Sequence, residues 1–94
     1  MSVSKKFKVL NKVGLHARPA AKFVKAAAAL KENSIVIENV TKGTPQVNAK
    51  SFTSVLSISV QQNDEVLLTI DGANAETALK TFTELFDTRF GEDE

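Results

Sequence analysis

Ninety-four residues are enough for one hydrophobic core and too few for two, so residues 1–94 read as a single domain. Hydrophobic residues at 43% and charged residues at 24% fit a self-folding globule. The absence of cysteine excludes disulfides, a thiolate zinc site and a thiol nucleophile. With one histidine in the chain, no metal site and no cofactor are expected. The net charge of +1 hides an asymmetry. Lys5, Lys6, Lys8, Lys12, Arg18, Lys22, Lys25 and Lys31 precede the first acid, whereas the stretch from Asp64 onward is acidic apart from Lys80 and Arg89. A basic first third points to an anionic ligand or an acidic partner, and equally to a solvated face. Nucleic acid is not expected, because Trp and Tyr are absent and the six Phe fall at core-like spacing. No apolar run is long enough to cross a bilayer, and Met1 to Lys12 has no hydrophobic signal core. The cytoplasm is the expected compartment, without membrane insertion.

Lys6-Phe7-Lys8-Val9-Leu10 alternates as a half-buried strand does. Gly14 breaks that pattern, and Ala17-Arg18-Pro19-Ala20 opens a helix whose first turn accommodates a proline. Through Leu30, Ala20, Phe23, Val24, Ala27 and Leu30 share one side, with Arg18, Lys22 and Lys25 on the other. Ser34 to Glu38 reads as a strand, Thr41 to Pro45 as a turn, and Gln46 to Asn48 as a short strand. Ser51 to Ile58 fits a short helix through Phe52, Val55, Leu56 and Ser59, but its β-branched content fits a strand too. Glu65 to Ile70 is a strand ended by Asp71-Gly72. Asn74 is placed to cap a last helix that carries Ala75, Ala78, Leu79, Phe82, Leu85, Phe86 and Phe90 at helical spacing. The tail from Gly91 to Glu94 is expected to fray. The order β-α-β-β-α-β-α implies an α+β fold, one sheet with its helices on a single face.

The chemistry concentrates in Val13-Gly14-Leu15-His16-Ala17-Arg18-Pro19-Ala20. Gly14 permits a tight approach between strand end and helix start. His16 falls at or just before the N-cap, beside N–H groups, those of Ala17 and Arg18 first, that no helical carbonyl satisfies. Together with the helix dipole these suit a phosphate dianion, and Arg18 adds a cation able to form paired hydrogen bonds to it. An unperturbed imidazole, titrating near ~6.5, is largely neutral at cellular pH and leaves a ring nitrogen free to attack phosphorus. A lone histidine at a helix start is more often a cap or surface residue than a nucleophile. The conjunction of Gly, His, Arg and Pro at one helix N-terminus sets this one apart.

Gly14-Leu15-His16-Ala17-Arg18-Pro19-Ala20-Ala21 resembles the signature of the HPr family, the histidine phosphocarriers of the phosphoenolpyruvate-dependent phosphotransferase system. Ala21-Lys22-Phe23-Val24-Lys25 continues like that family's first helix, and Asn48-Ala49-Lys50-Ser51 resembles the segment bearing its regulatory serine. The resemblance implies an open-faced β-sandwich, a four-stranded antiparallel sheet with three helices on one face. It implies His16 as phosphoryl acceptor through Nδ1 and Arg18 as the cation that manages the phosphate. Enzyme I would be the donor and enzyme IIA proteins the acceptors, in sugar uptake by a monomeric carrier rather than a stand-alone enzyme. Ser51 is implied as a target of HPr kinase/phosphorylase; its bland alternative is an N-cap worth about 1 kcal/mol. Ala17, Ala21, Phe52 and Leu56 match the family's apolar docking surface, with Arg18, Lys22 and Lys25 as a basic rim.

Some positions depart from the family pattern. Thr53 stands where a large apolar residue is usual, Ala28 and Ser54 where some members are basic, and Val13 where a polar residue often precedes the glycine. The His16-to-Ser51 stretch is a few residues longer than usual, and the Asn39-to-Pro45 turn is expected to absorb them away from His16. Asn11-Lys12-Val13-Gly14 and the acidic tail resemble nitrogen-related HPr paralogues, whereas Asn48 to Ser51 favours the carbohydrate or kinase-regulated type. The rival to a carrier is an HPr-like regulator, or a nitrogen-branch paralogue, acting by protein contacts alone. Intact His16 and Arg18 favour the carrier.

Overall fold

The computed structural model describes residues 2–91. Its elements are β1 (Ser2–Lys8), α1 (Ala17–Ala29), β2 (Ser34–Asn39), β3 (Val47–Asn48), α2 (Phe52–Ser57), β4 (Glu65–Asp71) and α3 (Ala75–Asp87), followed by a 3₁₀ turn, Arg89–Gly91. The sheet runs β1-β4-β2-β3 and every neighbouring pair is antiparallel. It is the open four-stranded antiparallel sheet with three helices that the sequence resemblance implies.

Strand alternation sets the inner face. Val66, Leu68 and Ile70 of β4 and Ile35 and Ile37 of β2 are buried, and their neighbours in sequence are not. Two polar residues occupy the same inward phase. Asn39 ends the β2 series, and Asp64 precedes the β4 series; both are buried. α1 covers this face with Ala20, Phe23 and Ala27, and α3 with Ala75, Ala78, Phe82 and Phe86. Phe7 stacks on Phe86 with centroids 4.3 Å apart, and Phe23 meets Phe82, Phe86 and Phe90 edge-on or tilted. One aromatic cluster therefore ties β1, α1, α3 and the C-terminal turn together. Phe52 does not join it; its ring is 42% exposed, so the expectation that all six Phe are core-like is wrong by one.

Several boundaries move from where the sequence placed them. β1 begins at Ser2 and ends at Lys8, because its seven residues pair one for one with β4, from Ser2 opposite Asp71 to Lys8 opposite Glu65. Val9 then exchanges backbone hydrogen bonds with Asp64 and Asn63, and Leu10 turns out to solvent. The ambiguous Ser51-to-Ile58 segment is a helix, started by Ser51 and anchored by buried Val55. α3 stops at Asp87 rather than running on to Phe90. Arg89 and Phe90 adopt left-handed φ of 55° and 54°, and this reversal returns the Phe90 ring to the core. Asn74 occupies the N-cap position, but with φ of 56° and no side-chain capping bond. An asparagine tolerates that left-handed conformation, and the turn before it is held instead by Asn33 Nδ2, which donates to Ala73 O at 2.9 Å. Of the tail expected to fray, residues 92–94 lie outside the described residues.

Candidate phosphoryl-transfer site

The site is assembled where the β1–α1 loop crosses the loop before β4. Gly14 has φ of +64°, and a β-carbon there would lie 2.1 Å from Val60 O and 2.7 Å from Gln61 Cα. Only glycine fits that contact. The close approach is thus to the Val60–Gln61 backbone, not to the helix start as the sequence reading has it. Leu15 follows with its N–H donating to Val60 O at 3.1 Å and its side chain buried. The next residue is His16, extended at φ −133° and ψ 155°, exposed, and making no capping hydrogen bond with its side chain. His16 lines an open cleft of about 340 Å³ with Val13, Leu15, Leu56, Ser59, Val60 and Gln61.

Ala17 begins α1 with φ of 49°. A left-handed alanine costs on the order of 1–3 kcal/mol and persists only where its surroundings enforce it. Here the buried residues on either side, Leu15 and Pro19-Ala20, do so. Pro19 has no N–H to leave unsatisfied, so the helix-start donors lie at its Ala17 end, adjoining His16. No acid lies in the first turn, so nothing there offsets the positive helix end. Arg18 is exposed beside it. An exposed imidazole at a helix start with no acid in its first turn, two residues from an exposed arginine, can take up an anion and release it again.

The remaining residues singled out from sequence fall in two places. Ala21, Lys22 and Lys25 are exposed on α1. Lys22 is also engaged, its Nζ donating to Phe90 O at 2.7 Å, so it ties the C-terminal turn to α1. Phe52 and half-buried Leu56 lie on α2, and Leu56 reaches the His16 cleft. Ser51 lies outside that cleft as the N-cap of α2: its Oγ accepts from the Ser54 N–H at 3.3 Å and lies 3.4 Å from Thr53 Oγ1. Of the departing positions, Val13 is 52% exposed at the cleft rim, Thr53 and Ala28 are exposed, and Ser54 is half-buried.

Sequence reading missed the polar cluster behind the cleft, made by Asn39, Lys42 and Asp64. Burial raises the Asp64 carboxyl. Hydrogen bonds from the Gln61 N–H, Asn39 Nδ2 and Lys42, with the charge of Lys42, more than offset that and hold it below the usual carboxylate value. A signal was available: Asn39 and Asp64 are the polar residues at inward positions of two strands that otherwise alternate cleanly.

The family model described as "PTS HPr component phosphorylation site" matches residues 3–88. The chain belongs to the HPr family. An HPr phosphocarrier protein of Xylella fastidiosa strain Temecula1 is 40% identical over 85 residues, covering 90% of this chain and 91% of its own. Among solved structures, HPr-C-His from Thermoanaerobacter tengcongensis superimposes with a TM-score of 0.89 at 37% identity, covering 98% of this chain and 99% of its own. An HPr dimer from the same organism gives a TM-score of 0.72 at 40% identity, covering 92% and 94%. Membership in HPr makes the chain a phosphocarrier of the phosphotransferase system, and such a carrier works between protein partners.

Proposed function

We propose that His16 is the residue that carries the phosphoryl group, accepting it on Nδ1 from phospho-enzyme I and passing it to enzyme IIA proteins during sugar uptake. The observation that carries this reading is the placement of an exposed, uncapped imidazole at the start of α1, beside Arg18 and the helix-start N–H groups. The phosphorus–donor bond breaks as the phosphorus–nitrogen bond forms, and the reverse exchange follows at the next acceptor. Backbone donors at Ala17 and Arg18 and the Arg18 guanidinium stabilise the charge spread over the equatorial oxygens. Exposure keeps both faces of the transfer accessible, so the group is held without being trapped.

Docking is assigned to Ala17, Ala21, Phe52 and Leu56, rimmed by Arg18, Lys22 and Lys25. Support comes from the exposure of Phe52 and from Leu56 sharing the cleft with His16. Ser51 is assigned a regulatory role as substrate of HPr kinase/phosphorylase. Phosphate there would add negative charge at the start of α2, next to the same surface. The working unit is a cytoplasmic, monomeric single domain. The dimeric T. tengcongensis relative makes the monomer a point for light scattering to decide.

Transfer is tested by loading the chain with enzyme I and labelled phosphoenolpyruvate, removing the donor, and adding an enzyme IIA. Label should move to the acceptor within seconds. Arg18→Met should slow both loading and release by roughly 10²-fold, the cost of removing one donor of an oxyanion-type site. Label retained by the chain in the presence of acceptor, or an Arg18→Met variant as fast as wild type, contradicts the reading.

A further inference from the structure

The turn that leaves β2 reaches across to the loop that precedes β4 and grips it at several points. Asp64 Oδ2 accepts from Asn39 Nδ2 and from the Gln61 N–H, each at 3.0 Å, and pairs with Lys42 Nζ at 3.2 Å. Asn39 Nδ2 donates to Ile58 O at 3.0 Å as well, and Lys42 Nζ to Ser59 O at 2.6 Å. Asn39 Oδ1 in turn accepts from the Lys42 N–H at 3.3 Å, which fixes the turn to the same cluster. The loop is therefore tied at residues 58, 59, 61 and 64 by side chains that meet on one carboxylate.

Val60 lies between the ties at residues 59 and 61. Its carbonyl receives the Leu15 N–H and is the atom against which Gly14 closes. His16 is one residue further along. Ser59, immediately before Val60, sits at a left-handed φ of 50°, a conformation that needs an external hold; Lys42 supplies it at the Ser59 carbonyl. The connection from the Asp64 carboxylate to the His16 backbone runs through its hydrogen bond from the Gln61 N–H, the Leu15–Val60 backbone hydrogen bond and the Gly14 contact. A shift of the loop would therefore be passed to the backbone that carries the imidazole.

We propose that Asp64, Lys42 and Asn39 are positioning residues for phosphoryl transfer, setting the wall that registers the Gly14-Leu15-His16 backbone. This rests on the reading of His16 as phosphoryl acceptor. In-line transfer is sensitive to placement, and a 1 Å error made far from the chemistry can cost about a hundredfold in rate. The Asn39-to-Pro45 turn, set apart from His16 on sequence grounds, thereby becomes part of the site's support.

The test uses the full chain as substrate of enzyme I, comparing wild type with Lys42→Met, Lys42→Arg, Asp64→Asn and, as a charge control, Lys31→Met in the turn that follows α1. Amide hydrogen exchange is read alongside at Leu15 and at Leu68, which lies in the core of β4. Lys42→Met and Asp64→Asn should lower kcat by about tenfold, part of the hundredfold limit, with KM within about twofold of wild type. Lys42→Arg should recover most of the loss, and Lys31→Met should match wild type. Exchange at Leu15 should accelerate more than at Leu68. Wild-type kcat in both Lys42→Met and Asp64→Asn overturns the proposal, as does an effect confined to KM. So does acceleration of Leu15 and Leu68 in step, the mark of a merely structural role. A wild-type chain that takes no phosphate from enzyme I, or takes it equally as His16→Ala, defeats the functional reading and this proposal with it. Normal loading of wild type with indifferent variants defeats the positioning role alone.

Discussion

Asp64 illustrates how a residue outside the cleft governs one inside it. Its carboxyl is buried and still ionises more readily than usual, because two hydrogen-bond donors and the Lys42 ammonium converge on it. The folded state therefore binds the proton less readily than the unfolded chain, whose aspartates titrate near ~3.9. Stability from this group is fully present above that value and is lost as pH falls through the lower folded one. Urea midpoints of wild type and Asp64→Asn should differ most near neutrality and converge in acid. A difference that is constant down to strong acid would contradict the assignment. Among single residues, the N-cap places of His16 and Ser51 and the need for a glycine at position 14 were legible in the sequence, though not the contact that Gly14 makes. Asp64 and Asn39 were missed although both keep the inward phase of β4 and β2, because each taken alone reads as a turn residue. Their roles appear only when β2 and β4 pair and bring residues 39 and 64 together.

Elements were legible where hydrophobic period and breaker agreed, as in α1, β2 and β4. They were less so where tertiary contacts decide the boundary. The pairing of β1 with β4 pulls the strand toward Ser2, which alternation over Lys6 to Leu10 does not reveal. The end of α3 is hidden because Phe90 keeps helical spacing yet reaches the core by two left-handed residues. That turn is fastened by Asn11 Nδ2 on Arg89 O at 2.7 Å and by Lys22 Nζ on Phe90 O. Phe90 is packed against Phe23 and Phe86, so its truncation opens one side of the aromatic cluster. Phe90→Ala should cost about 3–5 kcal/mol in urea denaturation. A cost below about 1 kcal/mol would show that the turn is dispensable to the core.

At the scale of the molecule, the charge asymmetry along the chain is partly undone by folding. β1 carries Lys5, Lys6 and Lys8 and pairs with β4, which carries Glu65 and Asp71; Lys8 lies directly opposite Glu65. Lys22 is engaged with the C-terminal turn. Arg18 at the start of α1 and Lys25 further along are exposed and add basic character on the His16 side. Steering of an acidic partner should then be present but modest: phosphorylation by enzyme I should slow severalfold between low and physiological salt. A rate indifferent to ionic strength would contradict a basic docking rim. The fold class was legible as a whole because each element's apolar face implies a single covered side of one sheet.

The most direct measurement is intact mass spectrometry of the chain at neutral pH after incubation with phosphoenolpyruvate and a bacterial enzyme I. The expected result is the gain of one acid-labile phosphate, lost entirely in His16→Ala. No gain, or a gain that survives His16→Ala, would contradict it.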